Sequence, residues 1–446
     1  MNLPKLIGDR LAGELLVGTD LTAQVKHHYQ QLCLHQGYKP RVLIDSHHPQ
    51  TCLAQFLAAC WAGCPVFLAD CRWGDREWQQ VSNLVRPNLV WAGVELPTYP
   101  LDLPETHPPA IMLPTGGTSG QIRFVCHTWS SLSTAAQALA AHLEITEINS
   151  ICILPLHHVS GLMQLVRALV SGGKLQLVPE LWQILDLPPQ GYCLSLVPTQ
   201  LQKLLKDDRT YPWLRQLRAV FLGGAPAWPG LLAQARQAKI PLAPTYGMTE
   251  TAAQVATLRP AEFLAGVDSC GSPLPHVQVQ IVDQTGQLVG DGTIGTIKIK
   301  APSLGTGYYP AEPLADETGF YQTDDLGWLD AQGHLHVAGR LSQTIITGGE
   351  KVLAQEVEQA ILATGLVQEV AVLGVGDRYW GQVVTAIYVG PEPTVLKARL
   401  TGKIAKFKIP RRWVTVPQLP RNAQGKLLYG RLPALLEEAA SPPAFL

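Results

Sequence analysis

Short β-branched runs, each followed by a longer helical pattern, occupy most of residues 40–300 and restrict the fold more than any other feature. RVLID (41–45) precedes TCLAQFLAACWAG, SICILPL (150–156) precedes GLMQLVRALVSG, and RAVFLGG (218–224) precedes PGLLAQARQAK. Apolar strands that alternate with helices of this length are typical of parallel sheets covered by helices. The pattern therefore predicts an α/β fold with mainly parallel sheets in this part of the chain.

The pattern changes twice towards the C-terminus. From about residue 276, VQVQIVD, TIGTIKIK and HLHVAG alternate with period two between Gly-rich turns, which predicts antiparallel hairpins or a small β-barrel. After Arg340, a helical AQEVEQAILAT is followed by the strand-like EVAVLGVGD and QVVTAIYVG. This last stretch, about 343–446, has the size and pattern of a small separate α+β domain.

Charge and hydropathy exclude several classes of partner. The 446 residues include 34 Lys+Arg and 35 Asp+Glu, so a net charge of −1 at pH 7 gives no basic surface for nucleic acid. The most apolar window, 56–69, is too short to span a bilayer, and the N-terminus lacks the pattern of a signal peptide. We therefore expect a cytoplasmic protein with no nucleic-acid partner and no membrane insertion; the oligomeric state stays open.

The nine cysteines all lie at or before Cys270, at irregular spacings and without a CxxC pair. In a chain of this length, such cysteines are expected to be free buried thiols and not disulfides or zinc ligands.

The strongest local motif is LPTGGTSGQIRF at 113–124. Its glycines permit positive φ and close backbone approach, and its amides and hydroxyls can donate to phosphate oxygens. Arg123 adds a positive charge, but no Lys-Ser/Thr follows the last glycine, so this is not the P-loop of the NTPases. From these residues alone, a phosphate-binding loop and a flexible Gly/Ser/Thr turn both remain open.

Three further segments contain groups suited to a nucleotide. In PTYGMTET (244–251), Tyr246 could stack on a base, and Glu250 could help to hold Mg²⁺; a plain turn is the alternative. Adjacent carboxylates at 324–325 precede Arg340 by fifteen residues and could accept bonds from a ribose diol, or could be solvated turn residues. Lys426, in PRNAQGK, could neutralise a carboxylate or phosphate, or could be an ordinary surface lysine.

Taken in order, these motifs resemble those of the AMP-forming adenylating enzymes, the superfamily of acyl-CoA ligases, luciferases and peptide-synthetase adenylation domains. The resemblance covers LPTGGTSG, FLGGAP (221–226), YGMTET, YQTDDLG, GRLSQTIITGGEKV (339–352) and PRNAQGK. It implies a large N-terminal domain at 1–339, a hinge at 340–343 and a mobile lid domain at 344–446. It also implies ATP, Mg²⁺ and coenzyme A as cofactor and co-substrates, and a small carboxylic acid as substrate.

The resemblance assigns a role to each matching residue. The ATP β- and γ-phosphates would be held by Thr115, Gly116, Gly117, Thr118, Ser119, Gly120 and Arg123. Gly223, Gly224, Ala225 and Tyr246 would frame the adenine, with Gly247 also in the nucleotide site. Thr249 would lie near the α-phosphate, Glu250 on Mg²⁺, and Asp325 and Arg340 at the ribose. Lys426 would bridge the substrate carboxylate and ATP, Ser342 would lie at the hinge, and Gly348 and Gly349 would serve the thioester step.

The sequence departs from the superfamily at three places. Ile122, Arg123 and Phe124 replace the usual Pro-Lys-Gly after the phosphate loop, and the usual TGD reads Thr323-Asp324-Asp325. Ser342-Gln343 stands where an acidic residue is common. None of these changes removes a group that the chemistry requires, so they affect only the geometry of the loop and of the domain rotation.

The segment LPLHHVSGLMQLVRALVSGG (154–173) resembles the corresponding stretch of 2-succinylbenzoate–CoA ligases, with His158 followed by Arg167 in an apolar helix. The resemblance implies a place in menaquinone or phylloquinone biosynthesis. Because an unpaired buried guanidinium is costly, Arg167 either reaches solvent, joins a structural ion pair or meets a substrate carboxylate. His158 could form a pocket wall or a polar contact. The alternatives are a ligase for another aryl or fatty acid, an enzyme that loads a carrier protein, and a non-catalytic nucleotide-binding relative.

Overall fold

A computed structural model describes residues 3–11, 15–35, 38–45, 48–100, 110–116, 121–310, 312–421 and 427–440. Its strands are β1 Val42–Asp45, β2 Val66–Ala69, β3 Leu89–Trp91, β4 Ile111–Gly116, β5 Ile122–His127, β6 Asn149–Cys152, β7 Leu175–Leu177, β8 Tyr192–Leu196, β9 Ala219–Leu222, β10 Leu242–Met248, β11 Ala253–Thr257, β12 Ser272–Pro273, β13 Gln278–Val282, β14 Gly295–Lys300, β15 Gly307–Tyr308, β16 Glu312–Pro313, β17 Tyr321–Leu329, β18 Leu335–Arg340, β19 Thr344–Thr347, β20 Glu350–Leu353, β21 Glu369–Asp377, β22 Gly381–Val389 and β23 Arg412–Thr415.

The α-helices are α1 Leu3–Leu11, α2 Thr22–Cys33, α3 Pro49–Ala62, α4 Asp75–Val85, α5 Trp129–Leu143, α6 Val159–Ser171, α7 Pro198–Leu204, α8 Thr210–Leu214, α9 Pro229–Gln237, α10 Pro260–Leu264, α11 Ala354–Leu362, α12 Pro393–Leu400 and α13 Leu432–Ala440. Short 3₁₀ helices span Leu181–Asp186, Thr249–Thr251, Leu341–Gln343, Lys406–Lys408 and Tyr429–Arg431. Helix α5 has an N-cap from a neighbouring residue: the Thr128 hydroxyl accepts a hydrogen bond from the Ser131 amide. Such a cap stabilises a helix by about 1 kcal/mol.

In the described part of the chain, strands β1 to β12 together with β15 and β16 form two seven-stranded sheets. Their orders are β16-β15-β5-β4-β2-β1-β3 and β12-β11-β10-β9-β8-β6-β7, each with a parallel part and an antiparallel edge. Strands β1 and β2 are buried along their whole length, as parallel strands covered on both faces must be. One apolar cluster joins residues of α3, α5 and α6 to residues of both sheets. The predicted α/β fold is therefore confirmed.

The stretches with period two form a four-stranded antiparallel sheet in the order β13-β14-β17-β18. In the described part of the chain its outer strands, β13 and β18, do not pair with each other. The hairpins are thus confirmed, whereas the predicted small barrel is corrected to an open sheet, because four strands are too few to close around a packed interior.

A fourth sheet follows in the last hundred residues. Its strands lie side by side in the spatial order β20-β19-β22-β21, and β23 pairs with β22. Helix α11 and strands β21 and β22 match the three elements that the sequence predicts here. Two apolar clusters of its own fill this α+β unit.

None of the nine cysteines, all of which the structure describes, forms a disulfide. Cys33 lies exposed at the end of α2, so the expectation of buried thiols is wrong there. No helix in the described ranges is long and apolar enough to cross a bilayer. The cytoplasmic location stays a prediction.

Candidate active site

The Gly-rich segment belongs to the antiparallel hairpin of β4 and β5. Thr115 pairs with Arg123 across this hairpin, and Gly116 pairs with Ile122. The tip residues Gly117, Thr118, Ser119 and Gly120 lie outside the described residues. The hairpin therefore fixes both ends of the predicted phosphate loop, and the contacts of the tip stay a prediction.

Arg123 has two partners that the sequence does not predict. Its Nη2 lies 2.7 Å from Glu312 Oε2, and its Cζ lies 3.5 Å from the centroid of the Tyr308 ring. The side chains of Arg123 and Glu312 are 37% and 68% exposed. Exposed ion pairs contribute about 0–1 kcal/mol, so a phosphate could replace Glu312 at little cost.

Tyr246, Asp325 and Arg340 meet although they come from different segments. The Tyr246 hydroxyl donates to Asp325 Oδ2 at 2.8 Å, and Arg340 Nε donates to Asp325 Oδ1 at 3.3 Å. Burial and the Asp325 carboxylate raise the pKa of Tyr246, so its hydroxyl remains a donor. Each carboxylate oxygen can accept more than one bond, and Asp325 therefore keeps capacity for a diol.

The FLGGAP segment leaves the end of β9 beside β10. A Cβ on Gly223 would lie 2.9 Å from Thr245 Cγ2, so glycine permits the close approach to the strand that holds Tyr246. Gly224 and Ala225 continue this loop. On β10 itself, a bulge between Tyr246 and Gly247 interrupts the pairing with β11. Bulges re-aim side chains next to binding sites.

Thr249 and Glu250 lie in the 3₁₀ turn that follows β10. Burial lowers the pKa of His127 to about 4, so its ring is neutral near pH 7, and its Nε2 donates to the Thr249 carbonyl at 2.7 Å. Glu250 is 9% exposed, and its Oε1 accepts from the Tyr308 hydroxyl at 2.8 Å. No cationic side chain of the described residues pairs with Glu250. A buried carboxylate without a counter-charge is costly, and its oxygens suit Mg²⁺.

Arg167 is buried in the middle of α6, with 3% of its surface exposed. Its Nη2 donates to the side-chain oxygen of Gln254, its Nε has no hydrogen-bond partner, and the guanidinium lies 5.4 Å from the Phe221 ring. Burial lowers its pKa to about 10, so the group remains charged near neutrality. Within the described ranges, its side chain reaches neither solvent nor a carboxylate; a contact with a substrate carboxylate stays a prediction.

His158 occupies the N-cap position of α6, and its ring lies 4.0 Å from that of His157. Ligand atoms of Asp70, His157 and His158 lie within 4.8 Å of one another. Both oxygens of Asp70 accept bonds from Arg72 at 2.8 Å. Burial opposes ionisation of Asp70, but His157 and Arg72 outweigh it and lower its pKa well below the usual range. This cluster is already charge-paired and is not an oxygen site of the kind that Mg²⁺ prefers.

The predicted hinge follows β18 directly. Asp324 accepts a bond from the Ser342 amide at 3.0 Å and another from its hydroxyl. Gly348 and Gly349, with φ of 57° and 87°, form the two-residue connection between β19 and β20, a turn that requires positive φ at both positions. Lys426 lies outside the described residues. On either side of it along the chain, Arg421 and Leu427 pair in an antiparallel β-bridge.

Contacts thus connect the hairpin, the Tyr246 strand, Asp325 and Arg340, as the sequence predicts; the individual roles remain predictions. Tyr308, Gln254 and Asp324 were not predicted from the sequence as partners of these residues. Of these, only Asp324 had a local signal, because it stands beside Asp325.

Known proteins are similar to this chain over most of its length. Residues 39–309 match the AMP-binding enzyme family, and residues 356–426 match the AMP-binding enzyme C-terminal domain. The chain is 34% identical to the 2-succinylbenzoate–CoA ligase of Enterococcus faecalis over 330 residues, which are 71% of this chain and 68% of that protein. The corresponding Bacillus subtilis enzyme is 34% identical over 336 residues, covering 72% and 68% of the two chains.

Solved structures of such a ligase have the same fold as this chain. The o-succinylbenzoate CoA synthetase of Bacillus subtilis, in complex with its acyl-adenylate intermediate, superposes with a TM-score of 0.81 at 27% identity, covering 93% of this chain and 92% of that one. The same enzyme in complex with ATP and magnesium ion also gives 0.81 at 27% identity, covering 93% and 94%.

Proposed function

Because the chain belongs to the AMP-binding enzyme family, we propose that it activates 2-succinylbenzoate with ATP and then forms its CoA thioester. The chain is an AMP-forming acid–CoA ligase that uses ATP, Mg²⁺ and CoA. Ligation of another aryl or fatty acid and the loading of a carrier protein are less favoured, because curated relatives at 34–35% identity are 2-succinylbenzoate–CoA ligases. From the family resemblance we also infer that the product serves menaquinone or phylloquinone biosynthesis.

The burial of Arg167 is the observation that supports 2-succinylbenzoate as the substrate. Among the residues that the structure describes, its buried guanidinium has a neutral partner and no counter-charge, and an anionic ligand would supply that charge. 2-Succinylbenzoate has two carboxylates, so one can react while the other meets a cation. We assign Arg167 to the carboxylate that does not react, and His158 to the wall of the same pocket.

In the first step, the succinyl carboxylate attacks the ATP α-phosphorus, a P–O bond forms, and pyrophosphate leaves. Asp325 and Arg340 would hold the ribose, and Tyr246 with the loop at Gly223–Ala225 would hold the adenine. The residues Thr115–Gly120 and Arg123 would bind the β- and γ-phosphates, with Thr249 near the α-phosphate. Such fixed positioning supplies most of what phosphoryl chemistry requires from a protein.

The residues around Glu250 fit Mg²⁺, since its carboxylate is 9% exposed, has no cationic partner in the described ranges and needs a counter-charge. When bound, Mg²⁺ would neutralise negative charge on the phosphate oxygens. Lys426 would bridge the acid and ATP during this step.

In the second step, the CoA thiol attacks the acyl carbonyl, a C–S bond forms and AMP leaves. We propose that residues 344–446 rotate about 340–343, near Ser342, against 1–339. This rotation would withdraw Lys426 and bring the Gly348–Gly349 turn to the reacting centre. No protein nucleophile is required.

The test measures pyrophosphate release when the protein is mixed with ATP and 2-succinylbenzoate, and then AMP release on addition of CoA. The matched control acid is 4-oxo-4-phenylbutanoate, which lacks only the ring carboxylate. Equal turnover of both acids, or of a fatty acid, would reject the proposed substrate. Transfer to a carrier-protein thiol in preference to CoA would favour the second alternative.

A further inference from the structure

Tyr308 lies between two predicted ATP-site residues and has no role in the mechanism above. Its strand β15 pairs with β5, which places Tyr308 opposite Val125, two residues beyond Arg123. The Tyr308 hydroxyl donates to Glu250 Oε1 at 2.8 Å, and the Arg123 guanidinium covers the ring face at 3.5 Å. One side chain therefore contacts both the cation and the carboxylate expected at the triphosphate.

The two contacts differ in chemistry. The hydroxyl fixes one oxygen of Glu250, and no side chain of the described residues bonds the other. The ring face attracts the guanidinium through its quadrupole, an interaction worth about 0.5–1 kcal/mol at exposed sites. Burial and Glu250 raise the pKa of Tyr308, so the hydroxyl stays protonated as a donor.

Glu312 completes the arrangement. It stands opposite Tyr308 in the β15–β16 pair and binds Arg123 from the exposed side. Its carboxylate oxygens have the charge and the hydrogen-bonding capacity of phosphate oxygens. Phosphate oxygens could therefore replace Glu312 as the partner of Arg123.

We propose that Tyr308 is a positioning residue that joins Arg123 to Glu250, while Glu312 occupies the place of phosphate oxygens until ATP binds. This inference rests on the proposed function, because it concerns the same ATP site. It adds that binding of the phosphates and binding of Mg²⁺ are coupled through one side chain.

The experiment measures ATP affinity by calorimetry without any acid substrate, so that no turnover occurs, in MgCl₂ and in EDTA. Tyr308→Phe should weaken binding of ATP with Mg²⁺ about five- to tenfold, part of the effect of losing a bond to a charged group. Without Mg²⁺ its affinity should match the wild type, because the ring still holds Arg123. Tyr308→Leu should lose affinity under both conditions, and Glu312→Gln should bind metal-free ATP more tightly.

Tyr211→Phe is the matched control, because the Tyr211 hydroxyl donates to a backbone carbonyl, that of Leu205, at 2.8 Å in α8. Thermal unfolding checks that each variant folds. Wild-type affinity of a folded Tyr308→Phe in MgCl₂, or an equal loss with and without Mg²⁺, would overturn the inference. Absence of ATP binding by the wild type would instead reject the proposed function.

Discussion

Arg167 is the residue where burial and charge conflict most directly. The residue is 3% exposed, and within the described part of the chain its guanidinium donates to the neutral side-chain amide of Gln254. Leaving such a cation unpaired is costly unless an anion arrives with the ligand. The arrangement favours a site that is electrostatically complete only when a carboxylate is bound.

Replacing Arg167 by Ala should therefore raise KM for 2-succinylbenzoate about thirtyfold or more, since loss of one partner of a buried charge pair costs about 2 kcal/mol or more. KM for ATP should stay within about twofold of the wild type. Steady-state kinetics with each substrate varied in turn measure both constants.

Arg236→Ala is the matched control for this variant. Arg236 also covers a phenylalanine ring, at 4.5 Å from Phe263, but it pairs with Asp268. An unchanged KM for the acid in Arg167→Ala would return Arg167 to a purely structural role.

Site residues could be predicted where several reactive side chains stand close together in the sequence. Tyr246, Asp325 and Arg340 stand in such motifs, and the structure brings them into contact. Tyr308 could not be predicted, because its contact with Glu250 spans 58 residues and depends on a strand of two residues. The partner of Arg123, Glu312, is 189 residues away and has no local signal.

At the scale of elements, periodicity predicted the helices and strands that are long enough to show a repeating pattern of apolar residues. The helix and two strands at 354–389 were predicted from their helical and strand-like sequence patterns. Strands β12, β15 and β16 have two residues each, too few for a pattern, and pairing with other strands determines them. The open third sheet likewise depends on which strands pair, which period two does not specify.

Helix α11 contains a carboxyl group whose protonation should affect stability. Burial raises the pKa of Glu358 to about 7, against hydrogen bonds from the Val372 amide at 2.8 Å and the Tyr429 hydroxyl at 3.1 Å. Because the folded pKa is raised, the folded state binds the extra proton, and this stabilisation is complete below the usual pKa of about 4.5. It is lost as the pH rises through about 7.

Glu358→Gln stays neutral and still accepts both bonds, so its stability relative to the wild type should increase between about pH 5 and pH 8, by about 1–3 kcal/mol. Unfolding in denaturant at several pH values measures the difference. Tyr429→Phe removes a bond that lowers the pKa of Glu358, so the loss of stability should extend to higher pH. A pH-independent difference between wild type and Glu358→Gln would contradict this prediction.

At the scale of the whole molecule, the site is assembled from strands of three sheets. Hairpin β4–β5 and β15 belong to the first sheet, β10 to the second, and β17 and β18 to the third. The order of the motifs made the assembly predictable, since each matches one place in a known fold. The contact of Asp324 with Ser342, at the predicted hinge, was not predictable, because this sequence differs from the family there.

The two half-reactions should depend differently on Lys426. If Lys426 bridges the acid and ATP only in the first step, Lys426→Ala should lower adenylate formation by about two orders of magnitude or more, since it removes a charge at the reacting centre. Thioester formation from the preformed adenylate and CoA should remain within about twofold of the wild type, because the lysine has then withdrawn. Pyrophosphate release measures the first half-reaction, and AMP release in single turnover measures the second. Lys397→Ala, which removes an exposed lysine from α12, should change neither, and an equal loss of both half-reactions in Lys426→Ala would contradict a role confined to adenylation.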